Sequence, residues 1–137
     1  MRQMDIRQNY TGMNPKTAVL AVGFDADERT RLIRRYLRRQ GIEWIPVEMP
    51  AFVQPLGFLA GAAGFSGVNA VNLQGSIPEE MMVMAGFSDA QLDGFLAYFR
   101  ENGIPGVPLK AVLTPVNAHW NALQLYEALK EEARMML

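Results

Sequence analysis

Val22-Gly23-Phe24-Asp25 and Ala85-Gly86-Phe87-Ser88 each follow a short apolar run and open an amphipathic stretch that closes on Gly-Ile, at Gly41-Ile42 and again at Gly103-Ile104. A repeated supersecondary unit constrains topology more than a single motif does. In the first copy, residues 18–24 are apolar, residues 25–40 have helical spacing and residues 42–49 return to alternation. In the second, residues 81–87, 88–102 and 107–114 follow the same order. Leu32, Ile33 and Tyr36 then fall on Phe95, Leu96 and Phe99 as one buried stripe, and Pro46 falls on Pro108. Asp25 with Glu28, and Ser88 with Gln91, place a capping side chain three residues before an acid or amide that reaches back. Gly41 and Gly103 supply the left-handed conformation that ends a helix. The unit is strand, helix, strand, and it occurs twice.

A chain of 137 residues holding two such units is expected to form one α+β domain over residues 17–137, preceded by a polar, mobile arm over residues 1–16. Copy one spans residues 17–50, an apolar insert 51–78, copy two 79–115 and a C-terminal helix 115–137. The simplest fusion is a ferredoxin-like, four-stranded antiparallel sheet with both helices on one face, plus the extra C-terminal helix. The alternative is a small three-layer α/β fold with a mostly parallel sheet, because the link between the copies is long enough for a crossover.

Cysteine is absent, which removes disulfides, thiolate metal sites and cysteine nucleophiles, and the single His119 leaves a transition-metal site short of ligands. No cofactor or metal is expected. The apolar insert carries Gln54, Pro55 and several glycines, too interrupted for a membrane span of roughly 20 residues. Its glycines do not follow the first strand as a dinucleotide fingerprint does, so it reads as a flap over the sheet or a dimer contact. Arg31, Arg34, Arg35, Arg38 and Arg39 share one arc of the first helix. A net charge of −1, aromatics set apart from the arginines, and acids at the helix start all argue for a solvated face rather than a nucleic-acid surface.

The remaining feature is the junction at residues 109–120, where Lys110, Thr114, Pro115, Asn117 and Trp120 follow one another. With the strand and helix start at residues 82–88, this order resembles a family of small bacterial proteins known only as a domain of unknown function. The resemblance spans residues 79–132 and implies no activity. On the residues themselves, Thr114 and Pro115 make a favoured helix start. Ala122, Leu125, Tyr126, Leu129 and Ala133 then define the buried arc, with His119 on it. Trp120 falls outside that arc beside Asn117, Asn121 and Gln124, near free backbone N–H groups.

Lys110, Thr114, Asn117, Trp120, Asn121 and Gln124 are therefore the candidate ligand or interface residues, with no catalytic set. Ser88 is used as a cap, and Glu79-Glu80 and Glu131-Glu132 are sequence neighbours that do not face each other across a substrate. The expectation is a non-catalytic, cytoplasmic interaction or small-effector-binding module, a homodimer, with a small polar or anionic ligand and no membrane or nucleic-acid partner. The alternative is a small enzyme with a pocket between the 51–78 insert and the Lys110 to Trp120 junction.

Overall fold

The computed structural model describes residues 12–136. Strand β1 (Ala18–Val22) leads to helix α1 (Glu28–Arg39) and strand β2 (Glu43–Pro46). A 3-10 turn (Met49–Val53) and the short helix α2 (Leu56–Leu59) follow. Strand β3 (Met81–Ala85), helix α3 (Asp89–Glu101) and strand β4 (Leu109–Val112) form the second unit, and a 3-10 turn (Asn117–His119) leads into helix α4 (Ala122–Met135).

The sheet runs in the order β2-β1-β3-β4. β1 pairs parallel with β2, β3 parallel with β4, and the two units meet along an antiparallel β1/β3 pair in which Leu20 faces Val83. This corrects the expected ferredoxin-like antiparallel sheet. In that arrangement each unit's strands are split by a strand of the other, whereas here each β-α-β unit keeps its own strands adjacent. β1 and β3 are the central pair in either arrangement, and their composition sets the layers on both sides of the sheet. Ala-Val-Leu-Ala-Val and Met-Met-Val-Met-Ala are buried at every position, so both sheet faces must be covered, the pattern of continuous apolar strands.

One face is covered by α1 and α3, with Val19, Ile33, Leu37, Met82, Met84, Phe95 and Phe99 in a shared core. Both helices therefore lie on the same side, as the repeat implies. The other face is covered by the insert and α4, with Leu20, Val83, Phe52, Leu56, Ala118 and Leu125 in a second core. The insert packs on this face through its apolar side chains, and its own path is fixed by side chains that bond its backbone. Gln54 exchanges two hydrogen bonds with the backbone of Val68, and Asn72 donates to the carbonyls of Met49 and Gly75. Within it Phe52 is buried and Phe65 packs on the core, while Phe58 stays exposed.

Several local expectations shift. The stripe is Ile33 and Leu37 against Phe95 and Phe99, with Leu32, Tyr36 and Leu96 half-buried, so the alignment of the two helices moves by one residue. Helix α1 is capped by Asp27, whose carboxylate accepts from the Thr30 N–H at 2.8 Å, rather than by Asp25 with Glu28, because a turn at Asp25 carries the chain two residues further. Ser88 and Gln91 do form the reciprocal box. Gly41 and Gly103 take φ of +73° and +63° beyond the helix ends. Pro46 pairs with Ala21 and Val112 with Met84, so the register sets Pro46 against Val112 and not Pro108. The second unit spends extra residues, Pro105 to Pro108, before its edge strand begins.

Residues 1–11, most of the expected mobile arm, lie outside the described residues. Residues 12–16 are docked: Met13 is buried in the second core and its carbonyl accepts from the Ala63 N–H, while the Lys16 N–H donates to the Ala60 carbonyl. Among the described residues no helix is long and apolar enough to cross a membrane.

Candidate functional site

The structure separates the candidate residues of the 109–120 junction onto two sides of the sheet. Thr114 and Asn117 do not start a helix; they close a turn. The Thr114 N–H donates to Asn117 Oδ1 at 2.8 Å, the Asn117 N–H donates to Thr114 Oγ1 at 3.1 Å, and Asn117 Nδ2 donates to the Val112 carbonyl at 3.0 Å. Helix α4 starts instead at Asn121, which forms a reciprocal capping box with Gln124. A proline at position 115 and a polar box one turn later compete for the same start, and the box satisfies more N–H groups.

Trp120 consequently stands just outside α4. It is half-buried against the core that contains Leu125, the pair of positions that make a hydrophobic staple, and its carbonyl accepts from the Leu56 N–H at 2.8 Å. His119 is exposed, its ring 4.8 Å from that of Phe65, which corrects its place on a buried arc; Ala133 is exposed as well. Both amide atoms of Asn117 and the side-chain oxygens of Asn121 and Gln124 are thus engaged in holding backbone.

Lys110 lies elsewhere. It pairs with Met82 on the edge strand and shares the helix-covered side of the sheet, so it does not meet Trp120, which packs on the opposite side. Between β4 and α3 it lines a groove of 280 Å³ with Met82, Leu96, Phe99, Ile104 and Val107, and Arg100 completes the rim. The floor is apolar and both charged lining groups are cations. Neither Arg100 nor Lys110 forms an ion pair among the described residues.

One wall of the groove is the extra loop before β4, and the residue that holds this loop was not legible as functional in the sequence. Arg29, at the start of α1, donates from Nε to the Pro105 carbonyl at 2.9 Å and from Nη2 to the Gly106 carbonyl at 2.8 Å. Its Nη1 reaches both carboxylate oxygens of Glu80 at 2.9 Å. A planar guanidinium spreads its donors over three nitrogens in a fixed fork, so it spans groups that a single ammonium nitrogen does not reach together. Read in sequence, Arg29 is one arginine of an arginine-rich helix. Its partners lie 51 and 76 residues away, and only the antiparallel β1/β3 pairing brings the N-terminus of α1 to the loop before β4. Glu79 is similarly engaged, accepting from Lys130 Nζ at 2.7 Å, a bond that raises the lysine pKa above its ordinary value.

The corresponding place in the first unit is a smaller space of about 200 Å³ lined by Arg34, Arg38, Ile42, Glu43 and Trp44. Val19 pairs with Trp44 as Met82 pairs with Lys110, and the Ile42 N–H donates to Leu37 as the Ile104 N–H donates to Phe99. Arg38, Ile42 and Trp44 therefore stand where Arg100, Ile104 and Lys110 stand in the second unit. The Trp44 indole packs on the first core, edge-to-face with Phe24 at 5.1 Å and under the Arg34 guanidinium at 5.7 Å.

Fold and groove together define a small mixed α+β domain with an open groove on its second β-α-β unit. The part of the chain that builds that concavity, residues 80–136, matches the model of a family described as a domain of unknown function (DUF3783), the kind of family that Lys110, Thr114, Pro115, Asn117 and Trp120 resemble. No curated protein and no solved structure gives a significant match to the chain.

Proposed function

We propose that this protein is a non-catalytic, cytoplasmic binding module that holds a small effector in the groove between α3 and β4. The observation that carries the reading is the groove itself: an apolar floor with two cations and no acid among its lining residues, whereas the smaller space in the first unit is lined by Glu43 as well as Arg34 and Arg38. Small-molecule sites combine a mostly apolar concavity with a few placed polar groups, and at 280 Å³ this one falls just under their usual range of about 300–1,000 Å³ and suits a small ligand. The non-catalytic part is supported by where the reactive side chains are spent. Ser88 caps a helix, Glu79 and Glu80 are ion-paired, and Asn117 closes a turn. A homodimer belongs to the proposal too, favoured by Phe58, Val68, Val71 and Leu73, which the insert leaves exposed.

The test is a thermal-shift panel of small charged and neutral organic molecules on the whole chain, with each hit repeated on Lys110→Trp, which removes one of the two cations and sets a bulky ring in the groove lining. Hits are expected to disappear in the variant. Hits that persist unchanged place binding elsewhere and sink the reading.

A further inference from the structure

We propose that the uncharged outer surface of the insert is the face through which two copies of this chain pair about a twofold axis. The inference rests on the homodimer of the proposed function and not on the groove; it adds which surface pairs and the physical reason. Residues 49–78 contain no Asp, Glu, Lys or Arg, in a chain that is 20% charged. The stretch is nevertheless a surface layer, since residues 66–71 are exposed throughout and Val71 and Leu73 are 61% and 77% exposed. Single apolar side chains on a surface need no partner, but Met49, Phe58, Val68, Val71 and Leu73 all stand out from one segment with no charge between them. The segment is also held in place. Gln54 ties down Val68, and the Phe58 ring closes over Gly67, where a methyl would meet it at 2.9 Å. The Asn72 N–H donates to the Pro50 carbonyl at 3.0 Å and its side chain to the carbonyls of Met49 and Gly75. Both halves of the exposed run are thus fastened to residues 49–58, so a partner meets these side chains with little loop ordering left to do.

Charge selects the occupant. A twofold contact lays a patch on its own copy, so each charge near the axis meets its like. The insert is free of that repulsion. The opposite face is not: α1 exposes Arg31, Arg34, Arg35, Arg38 and Arg39 against Glu28 as its only acid, and a copy of that helix would be repelled. A bilayer is disfavoured on related grounds, because surface-binding segments add Lys or Arg to their apolar face, whereas the insert contains no cation and is bounded by Glu48 and Glu79. Pairing through the insert also leaves the groove accessible. The insert and α4 cover one side of the sheet while α1, α3 and Lys110 share the other, so both grooves lie on the sides of the two sheets away from the contact.

The experiment measures the dimer dissociation constant of the whole chain by sedimentation equilibrium over a wide range of concentration. Leu73→Glu sets a carboxylate on each side of the contact and should raise that constant at least about tenfold, whereas Arg35→Glu, on the far side of the sheet, should leave it unchanged. Leu73 is exposed, so the fold tolerates the charge, and circular dichroism of the variant checks this. A second measurement needs no variant: hydrogen–deuterium exchange of the wild-type chain should slow at the backbone N–H groups of residues 66–74 as concentration rises. A dimer that Leu73→Glu leaves intact, or protection that grows at α1 or β4 instead, overturns the insert as the interface while the homodimer stands. A chain that stays monomeric at every concentration overturns both. Co-sedimentation of such a monomer with phosphatidylcholine vesicles, lost in Leu73→Glu, makes a bilayer the occupant of this face and overturns both as well.

Discussion

Replacing Asn117 with Ala separates the two roles that its place in the sequence suggests, ligand contact and structural closure. The side chain is 9% exposed and makes two hydrogen bonds to backbone, one to the Thr114 N–H and one to the Val112 carbonyl. Each such bond contributes about 0.5–1.5 kcal/mol, and leaving the half-buried Thr114 N–H without its partner pushes the total toward the upper end. We expect Asn117→Ala to cost about 2–3 kcal/mol, which for a chain of this size lowers Tm by about 10 °C. Urea denaturation followed by circular dichroism measures the free energy directly, and the same variant is titrated with the effector found for the groove. The turn contacts the α2 side of the sheet, away from Lys110, so binding at 25 °C should be unchanged for the folded fraction. Unaltered stability combined with lost binding would refute the reasoning, because it would make Asn117 a ligand contact after all.

Arg29→Lys keeps a charge for Glu80 but cannot also reach Pro105 and Gly106; it should weaken effector binding several-fold by loosening the wall, with a KD change larger than the change in unfolding midpoint. Gly86→Ala should destabilise by about 2 kcal/mol or more, since φ is +72° and the new methyl meets the Lys16 carbonyl oxygen at 2.7 Å; Gly41→Ala, at φ +73° in open space, should cost about 1 kcal/mol, so equal midpoints in urea would contradict the close approach of the chains at Gly86. The Thr30 backbone N–H holds the Asp27 carboxyl below its ordinary pKa of 3.8. A depressed pKa stabilises the fold above the unfolded value and loses that contribution as pH falls through the folded one. Below about pH 4, wild type should therefore lose stability more steeply than Asp27→Asn, whose cap does not titrate; parallel acid curves would count against this role for the cap.

Elements were legible where a local rule sufficed. Two apolar runs of β length, two amphipathic stretches and two glycines past the helix ends are each set by neighbours within a few residues, and each forms where the repeat implies. The sheet order was not legible, because strand-helix-strand written twice is equally consistent with split and unsplit pairing. What distinguishes them is whether each unit's returning strand joins its own first strand or the other unit's, a long-range choice of partner that no local pattern records. Helix starts were legible only when one candidate cap was present. Ser88 had no rival, whereas Asp25 competed with Asp27 and Thr114 with Asn121, and in both cases the chain used the later residue.

The candidate site divides in the same way. Lys110 was named from the sequence and lines the groove, but its companions in the sequence, Asn117 and Trp120, face the other core, because a residue's side of the sheet is set by strand parity and the turn that follows. Arg100 and Arg29 gave no local signal at all. Their roles depend on contacts between units far apart in the chain, made by pairing β1 antiparallel to β3 and β4 parallel to β3. By itself, then, the sequence determined the two β-α-β units, their apolar stripes and their helix ends, since those follow from short-range sterics and periodicity. Only the tertiary structure decided the order of the strands, the covering of the second face and the opening beside Lys110, since those follow from which distant surfaces exclude water together.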